Sequence, residues 1–181
     1  MDTIGYIEMS SIAGGIEVAD SMLKTAQVEL VYAKASCPGK YYVMISGTVS
    51  GVESAIRQGV TLGKGYLVSS LVIPRLHPQV IKAINMAYMP EKIAAIGVLE
   101  FFDVTSTLLA ADTAVKASNV ELLDIRLGTG IGGKGFVVLT GDSASVTSSV
   151  EAAANNQKES GMLVNKMVIS NPDKKLVSSL Y

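Results

Sequence analysis

The chain repeats itself. Displaced by 92 residues, IGYIEMSSIAGGIEVADSMLKTAQVELVYAK, starting at Ile4, falls on IGVLEFFDVTSTLLAADTAVKASNVELLDIR, starting at Ile96. Nine of these 31 pairs are identical: Ile4/Ile96, Gly5/Gly97, Glu8/Glu100, Ala19/Ala111, Asp20/Asp112, Lys24/Lys116, Val28/Val120, Glu29/Glu121 and Leu30/Leu122. Ordinary composition would give roughly two by chance. The register slips by two before Gly39-Lys40, which falls on Gly133-Lys134, and by two again before Gly65, which falls on Gly161. Such insertions belong in loops. Self-similarity at a fixed period makes each copy one structural unit. The 181 residues therefore divide into two domains, 1–89 and 90–181, with residues 86–92 as linker.

One copy predicts the architecture of both. Residues 3–9 are apolar and β-rich, a strand. Ser10 or Ser11 caps a helix, in which Ile12, Ile16, Ala19, Leu23 and Ala26 recur at helical spacing as an apolar stripe. Residues 28–35 read as a second strand. Ser36-Cys37-Pro38-Gly39 is a turn, punctuated by Pro and Gly, and residues 41–46 are a third strand. Thr48 caps a helix with Val52, Ala55, Ile56 and Val60 on one face. Residues 67–73 form a fourth strand ended by Pro74, and residues 77–85 a short closing helix. The order β-α-β-β-α-β-α is the ferredoxin-like, split βαβ arrangement. The fold class is α+β: two tandem four-stranded antiparallel sheets, each with helices on one face.

Composition excludes several functions. Net charge is −1 and no Lys/Arg stripe is present, so the chain lacks the basic footprint of nucleic-acid binding. No apolar run reaches membrane-spanning length, and the start MDTIGYIEM has no signal-peptide pattern. One cysteine, Cys37, cannot close an internal disulfide, in keeping with a reducing compartment. Hydrophobic residues are 49% and charged ones only 17%, against about 25% charged in ordinary soluble domains. The excess points to apolar surface buried between chains.

The residues offer little chemistry. Gly128–Gly135 (GTGIGGKG) approaches a P-loop, but Gly135 stands where Ser or Thr should bind Mg²⁺, and a strand-like segment follows instead of a helix. The carboxylates Glu8/Glu100 and Asp20/Asp112 are copies of single positions, which suits structure better than catalysis. His77 reads as a helix-start residue between turn formers. Lys24 and Lys116 suit the ends of equivalent helices, where a cation complements the dipole, and are also placed to touch a neighbouring molecule. Cys37 differs. It lies in a Pro/Gly turn, outside any apolar stripe, and the second copy has Thr129 there. Such a thiol is open to reaction or to binding a metal.

IGYIE, ADSMLKTAQVEL, CPGKYYVMISG and LVIPRLHPQV together resemble the bacterial microcompartment shell domain, over essentially the whole chain in both copies. The tandem, unpermuted form resembles the trimeric shell proteins. The Cys-Pro-Gly-Lys turn resembles that of the iron–sulfur shell proteins of propanediol-utilising microcompartments. The resemblance implies a homotrimer forming a flat pseudohexamer that tiles with other shell proteins around encapsulated enzymes, within the bacterial cytoplasm. It places Lys24, Lys116 and Arg75 at the assembly edge. Leu76 departs from that edge motif, and Ser170-Asn-Pro-Asp173 in the second copy lacks its arginine. It places Ser36, Cys37, Pro38 and Gly39, with Gly128, Thr129, Gly130, Ile131 and Gly132, at the central pore. There it implies one [4Fe–4S] cluster per trimer, ligated by Cys37 of each chain, for electron transfer across the shell to a redox enzyme or for cluster storage. Symmetry agrees: a cubane has a threefold axis through one iron and the opposite sulfide. Three equivalent thiolates reach the three off-axis irons, leaving the fourth to a non-protein ligand. Two alternatives stay open: a cluster-free shell trimer with a metabolite pore, and a small-molecule-binding regulatory module, since this fold hosts many such modules. An enzyme is not expected.

Overall fold

The computed structural model describes residues 3–85, 90 and 93–179. The expected linker, 86–92, lies outside them except for Pro90, as does the last residue of the expected first domain. By packing the chain forms two units, Met1–Leu76 and His77–Tyr181.

The first unit runs β1 (Thr3–Met9), α1 (Ile12–Thr25), β2 (Val28–Ser36), β3 (Lys40–Gly47), α2 (Val49–Leu62) and β4 (Leu67–Ile73). Its four strands are antiparallel in the order β2-β3-β1-β4. The second unit begins with α3 (Pro78–Asn85) and continues β5 (Ala95–Phe101), α4 (Val104–Ala117), β6 (Glu121–Leu127), β7 (Gly135–Gly141), α5 (Ser143–Asn156), β8 (Leu163–Ser170) and α6 (Lys174–Ser179). Its sheet has the same order, β6-β7-β5-β8. Both are the split βαβ sheet expected. No described helix is long and apolar enough to cross a membrane.

Helix starts follow the caps. Ser11 accepts from the Gly14 N–H at 3.1 Å and Thr48 from the Gly51 N–H at 3.2 Å. The second unit uses carboxylates at the same places: Asp103 accepts from the Ser106 N–H at 3.0 Å and Asp142 from the Ser145 N–H at 2.9 Å. Each satisfies a donor that the first helical turn leaves free.

The first core joins Ile7 and Met9 of β1, Val18, Ala19 and Met22 of α1, Val43 and Ile45 of β3, and Val52, Ala55 and Ile56 of α2. Gly5 explains how closely α2 approaches the sheet: a methyl group there would sit 2.8 Å from both Ile56 and Val52. Gly97 does the same in the second unit, against Val150 at 2.7 Å. Both identities in the repeat are thus packing constraints.

Two expectations change. The stripe on α1 meets the core only in its second half: Ala19 is buried and Leu23 and Ala26 pack against the core, whereas Ile12 and Ile16 are exposed and Gly15, Val18 and Met22 complete the buried face. The helix at 78–85 does not pack with the strands that precede it. It lies against β6 and α4 of the second unit, burying Val80 and Ala83.

Candidate functional site

The residue types that carry chemistry converge on one turn in each unit. In the first, β2 ends at Ser36 and β3 starts at Lys40, so Cys37, Pro38 and Gly39 make the whole connection. Pro38 follows a cis peptide bond, and Gly39 takes φ 75°. Ser36 is buried, Cys37 half-buried, Pro38 and Gly39 exposed. A methyl group on Gly39 would meet nothing within 4 Å, so the turn is open on the Gly39 side.

The base of this turn is fixed by charge. Lys40 Nζ donates to Glu8 Oε1 at 2.5 Å, and Ser69 Oγ donates to Glu8 Oε2 at 3.1 Å. The Glu8 side chain is only 1% exposed, a burial that requires such a partner. Behind it lie three tyrosines. The Tyr6 and Tyr42 rings pack with centroids 5.7 Å apart, tilted by 60°. Burial raises the Tyr32 phenol above its ordinary value, and the nearby Tyr42 and Glu8 push it the same way. Their counterparts in the second copy are Val98, Phe136 and Asp124.

The equivalent turn, Gly128–Lys134, is longer and glycine-rich. Gly128, Gly130, Gly132 and Gly133 all take positive φ, between 67° and 85°, a conformation that only glycine adopts at little cost. The Gly128 N–H donates to the Lys134 carbonyl at 2.8 Å and the Gly133 N–H to the Gly128 carbonyl at 3.2 Å, closing the loop. Thr129, Gly130 and Gly132 are exposed, and Ile131 is half-buried. Lys134 Nζ reaches Glu100 Oε1 at 2.9 Å, repeating the Lys40–Glu8 pair. A strand follows at Gly135, so the loop faces no helix N-terminus and is not a phosphate cradle. Repetition had marked Glu8, Glu100 and the Gly-Lys steps as structural, but their pairing became visible only in the fold. The tyrosine group was missed, since two of its members follow no spacing rule.

The remaining predicted residues lie elsewhere. Lys24 and Lys116 each occupy a last helical turn and bond back one turn, to Asp20 Oδ2 at 2.6 Å and Asp112 Oδ2 at 2.5 Å. Both stand in the last turn, where the dipole reading expects a cation, and Lys24 is well exposed. Arg75 is exposed, has φ 54°, and lines an open groove with Thr3, Gln27 and the start of α2. His77 starts α3: its Nδ1 accepts from the Gln79 N–H at 3.4 Å.

Chemically, one turn offers one accessible thiol. Among the described residues no three His, Cys, Asp or Glu side chains gather into a metal site. The carboxylates nearest the turns are held in ion pairs.

Comparison with known proteins gives these turns a context. The BMC domain family model matches residues 3–76 and 95–172, one copy per unit. The bacterial microcompartment shell protein PduT of Citrobacter freundii is 43% identical over 169 residues, covering 93% of this chain and 92% of that protein. The carboxysome assembly protein CcmO of Synechococcus elongatus is 28% identical over 98% of this chain and 68% of its own length. The crystal structure of a microcompartments protein from Desulfitobacterium hafniense is 49% identical and superposes with a TM-score of 0.91, covering 98% of this chain and 99% of its own. The fused permuted hexameric shell protein MSM0275, at 22% identity and a TM-score of 0.66, covering 87% of this chain and 84% of its own, shares the fold.

Proposed function

This chain belongs to the BMC domain family, and on that footing we propose that it is a structural protein of a bacterial microcompartment shell, assembled as a closed trimer and holding one [4Fe–4S] cluster through Cys37 of each chain. The shell role is supported by the family membership of both units and by the likeness to PduT along nearly the whole of both chains. The edges, with Lys24, Lys116 and Arg75, join other shell proteins.

One observation carries the cluster: a single half-buried thiol on an open turn, in a chain whose described residues hold no metal site of their own. Such a thiol is incomplete alone and becomes a set of three on a threefold axis. The residues fit that use. Gly39 leaves the approach clear, and the Glu8–Lys40–Ser69 network fixes the strand that carries the turn. When bound, such a cluster supplies one-electron transfer. The chain's own part is to hold the thiol, limit solvent around it, and offer backbone N–H groups near the sulfurs, which tune the potential. Electron transfer across the shell, and cluster storage, are the two uses this chemistry allows.

The test is Cys37→Ser in anaerobically purified protein. The brown colour and the reducible electron paramagnetic resonance signal should disappear while the trimer persists by light scattering. A signal that survives the substitution rules out Cys37 as ligand. Trimers of the unsubstituted protein with no signal favour a shell pore without metal.

A further inference from the structure

The two units carry opposite charge at one and the same position. In the first, the start of α2 borders an open hollow of about 830 Å³ together with Thr3, Gln27 and Arg75. In the second, the start of α5 borders a hollow of about 200 Å³ together with Asn119, Glu121 and Asp142. The repeat makes these equivalent places: Gln27 falls on Asn119, Gly47 on Gly141 and Thr48 on Asp142. Among the described residues Arg75 is the one charged side chain lining the first hollow, and Glu29, the counterpart of Glu121, does not line it. The second hollow is lined by two carboxylates and no cation, and Asn171 is the counterpart of Arg75.

The local structure keeps these charges in place. Arg75 is exposed, and its position beside a helix start with the neutral cap Thr48 adds its charge to the partial positive charge there. The cap of α5 is instead an aspartate, exposed and fixed by bonds from the Ser145 N–H at 2.9 Å and the Ser145 hydroxyl at 2.6 Å. Glu121 is exposed beside it and also borders a separate cavity with Lys82. The Lys24–Asp20 and Lys116–Asp112 pairs recur in both units and give their edges the same character. The hollows make the edges unlike.

We propose that trimers of this chain meet unlike edge to unlike edge, the Arg75 hollow of one against the Glu121/Asp142 hollow of the next. This rests on the trimer and the tiling edges proposed above. Complementary charge fixes which surfaces meet chiefly by penalising the wrong pairing. Here like edges would set arginine against arginine and carboxylate against carboxylate. Symmetry requires the same choice. The two kinds of edge alternate around a trimer of two-unit chains, so opposite edges are unlike. Trimers lying the same way up and turned alike therefore present unlike edges at every side. Like-with-like contacts need each neighbour turned by half a turn, and three mutually adjacent trimers cannot all be turned relative to one another.

Electron microscopy of arrays grown from concentrated protein tests the pairing, with light scattering to follow the trimer. In the unsubstituted protein each repeat of the array should hold one trimer, all turned alike. Arg75→Glu should leave the trimer intact and raise the concentration at which arrays appear about tenfold or more, by setting carboxylate against carboxylate. Adding Glu121→Lys and Asp142→Asn, which keeps a capping side chain on α5, should restore the arrays. Arg75→Asn, which suits the left-handed backbone at φ 54°, should weaken arrays in the same direction and replaces Arg75→Glu if that variant does not fold. Arrays whose repeat holds trimers of two orientations, or that neither substitution at Arg75 changes, overturn the pairing while the edges stand. An intact triple variant no better than Arg75→Glu overturns it too. Trimers that never form arrays overturn the edges and the pairing together, and an unsubstituted protein that is a monomer overturns the trimer as well.

Discussion

Glu8 and Glu100 occupy the same position of the repeat, yet the fold treats them differently. Glu8 is 1% exposed at its side chain and Glu100 is 36% exposed. Removing the lysine strands a buried charge in one case and a partly solvated one in the other. Lys40→Ala should therefore cost about 3 kcal/mol, as breaking a buried pair does, and Lys134→Ala no more than about 1 kcal/mol. Urea unfolding midpoints compare the two, and equal losses would contradict the difference in burial. In the sequence, repetition marked both glutamates as structural, but partners separated by 32 and 34 residues are brought together only by strand pairing. Cys37 was legible for the opposite reason. It stands out because its counterpart is not a cysteine, and a turn between Pro and Gly can be read locally.

At the scale of elements, starts and ends were legible because caps and turn formers act within a few residues. For α1 the core side was legible only in part: Ala19, Leu23 and Ala26 of its stripe pack on the core, and Ile12 and Ile16 do not. The apolar periodicity of Ile12 and Ile16 is real, but the core face is built from Gly15, Val18, Ala19 and Met22. Gly15 hides that face, since it contributes no hydrophobic signal, and a methyl group there would fall 2.5 Å from Tyr41. Close approach also governs α2, so Gly5→Ala should cost about 1–3 kcal/mol by overpacking against Val52 and Ile56. An unshifted thermal midpoint would show that α2 can retreat. The cap of α5 has a pH signature. Hydrogen bonds from the Ser145 hydroxyl and then its backbone N–H hold the Asp142 carboxyl below its ordinary value. That contribution is complete above the ordinary carboxylate range and is lost as pH falls through the lowered value. The stability gap between Asp142→Ala and the parent should be present at neutral pH and vanish in acid; a gap that persists in acid would assign the effect to packing.

For the whole molecule, the repeat foretold two sheets of one topology, and the family match in both units agrees. The placement of α3 was not legible, because chain order assigns it to the strands before it while its buried side faces β6 and α4. The tiling proposed above would use the edges, apart from the trimer contact. Lys24→Ala should leave the trimer intact and reduce two-dimensional arrays seen by electron microscopy of concentrated protein, while unchanged arrays would remove Lys24 from the edge. The central claim is that three chains share what one cannot hold. Iron and labile sulfide in anaerobically purified protein test it most directly. Four irons shared by three chains give about 1.3 iron atoms and as many sulfides per chain, whereas intact trimers free of iron and sulfide would contradict it.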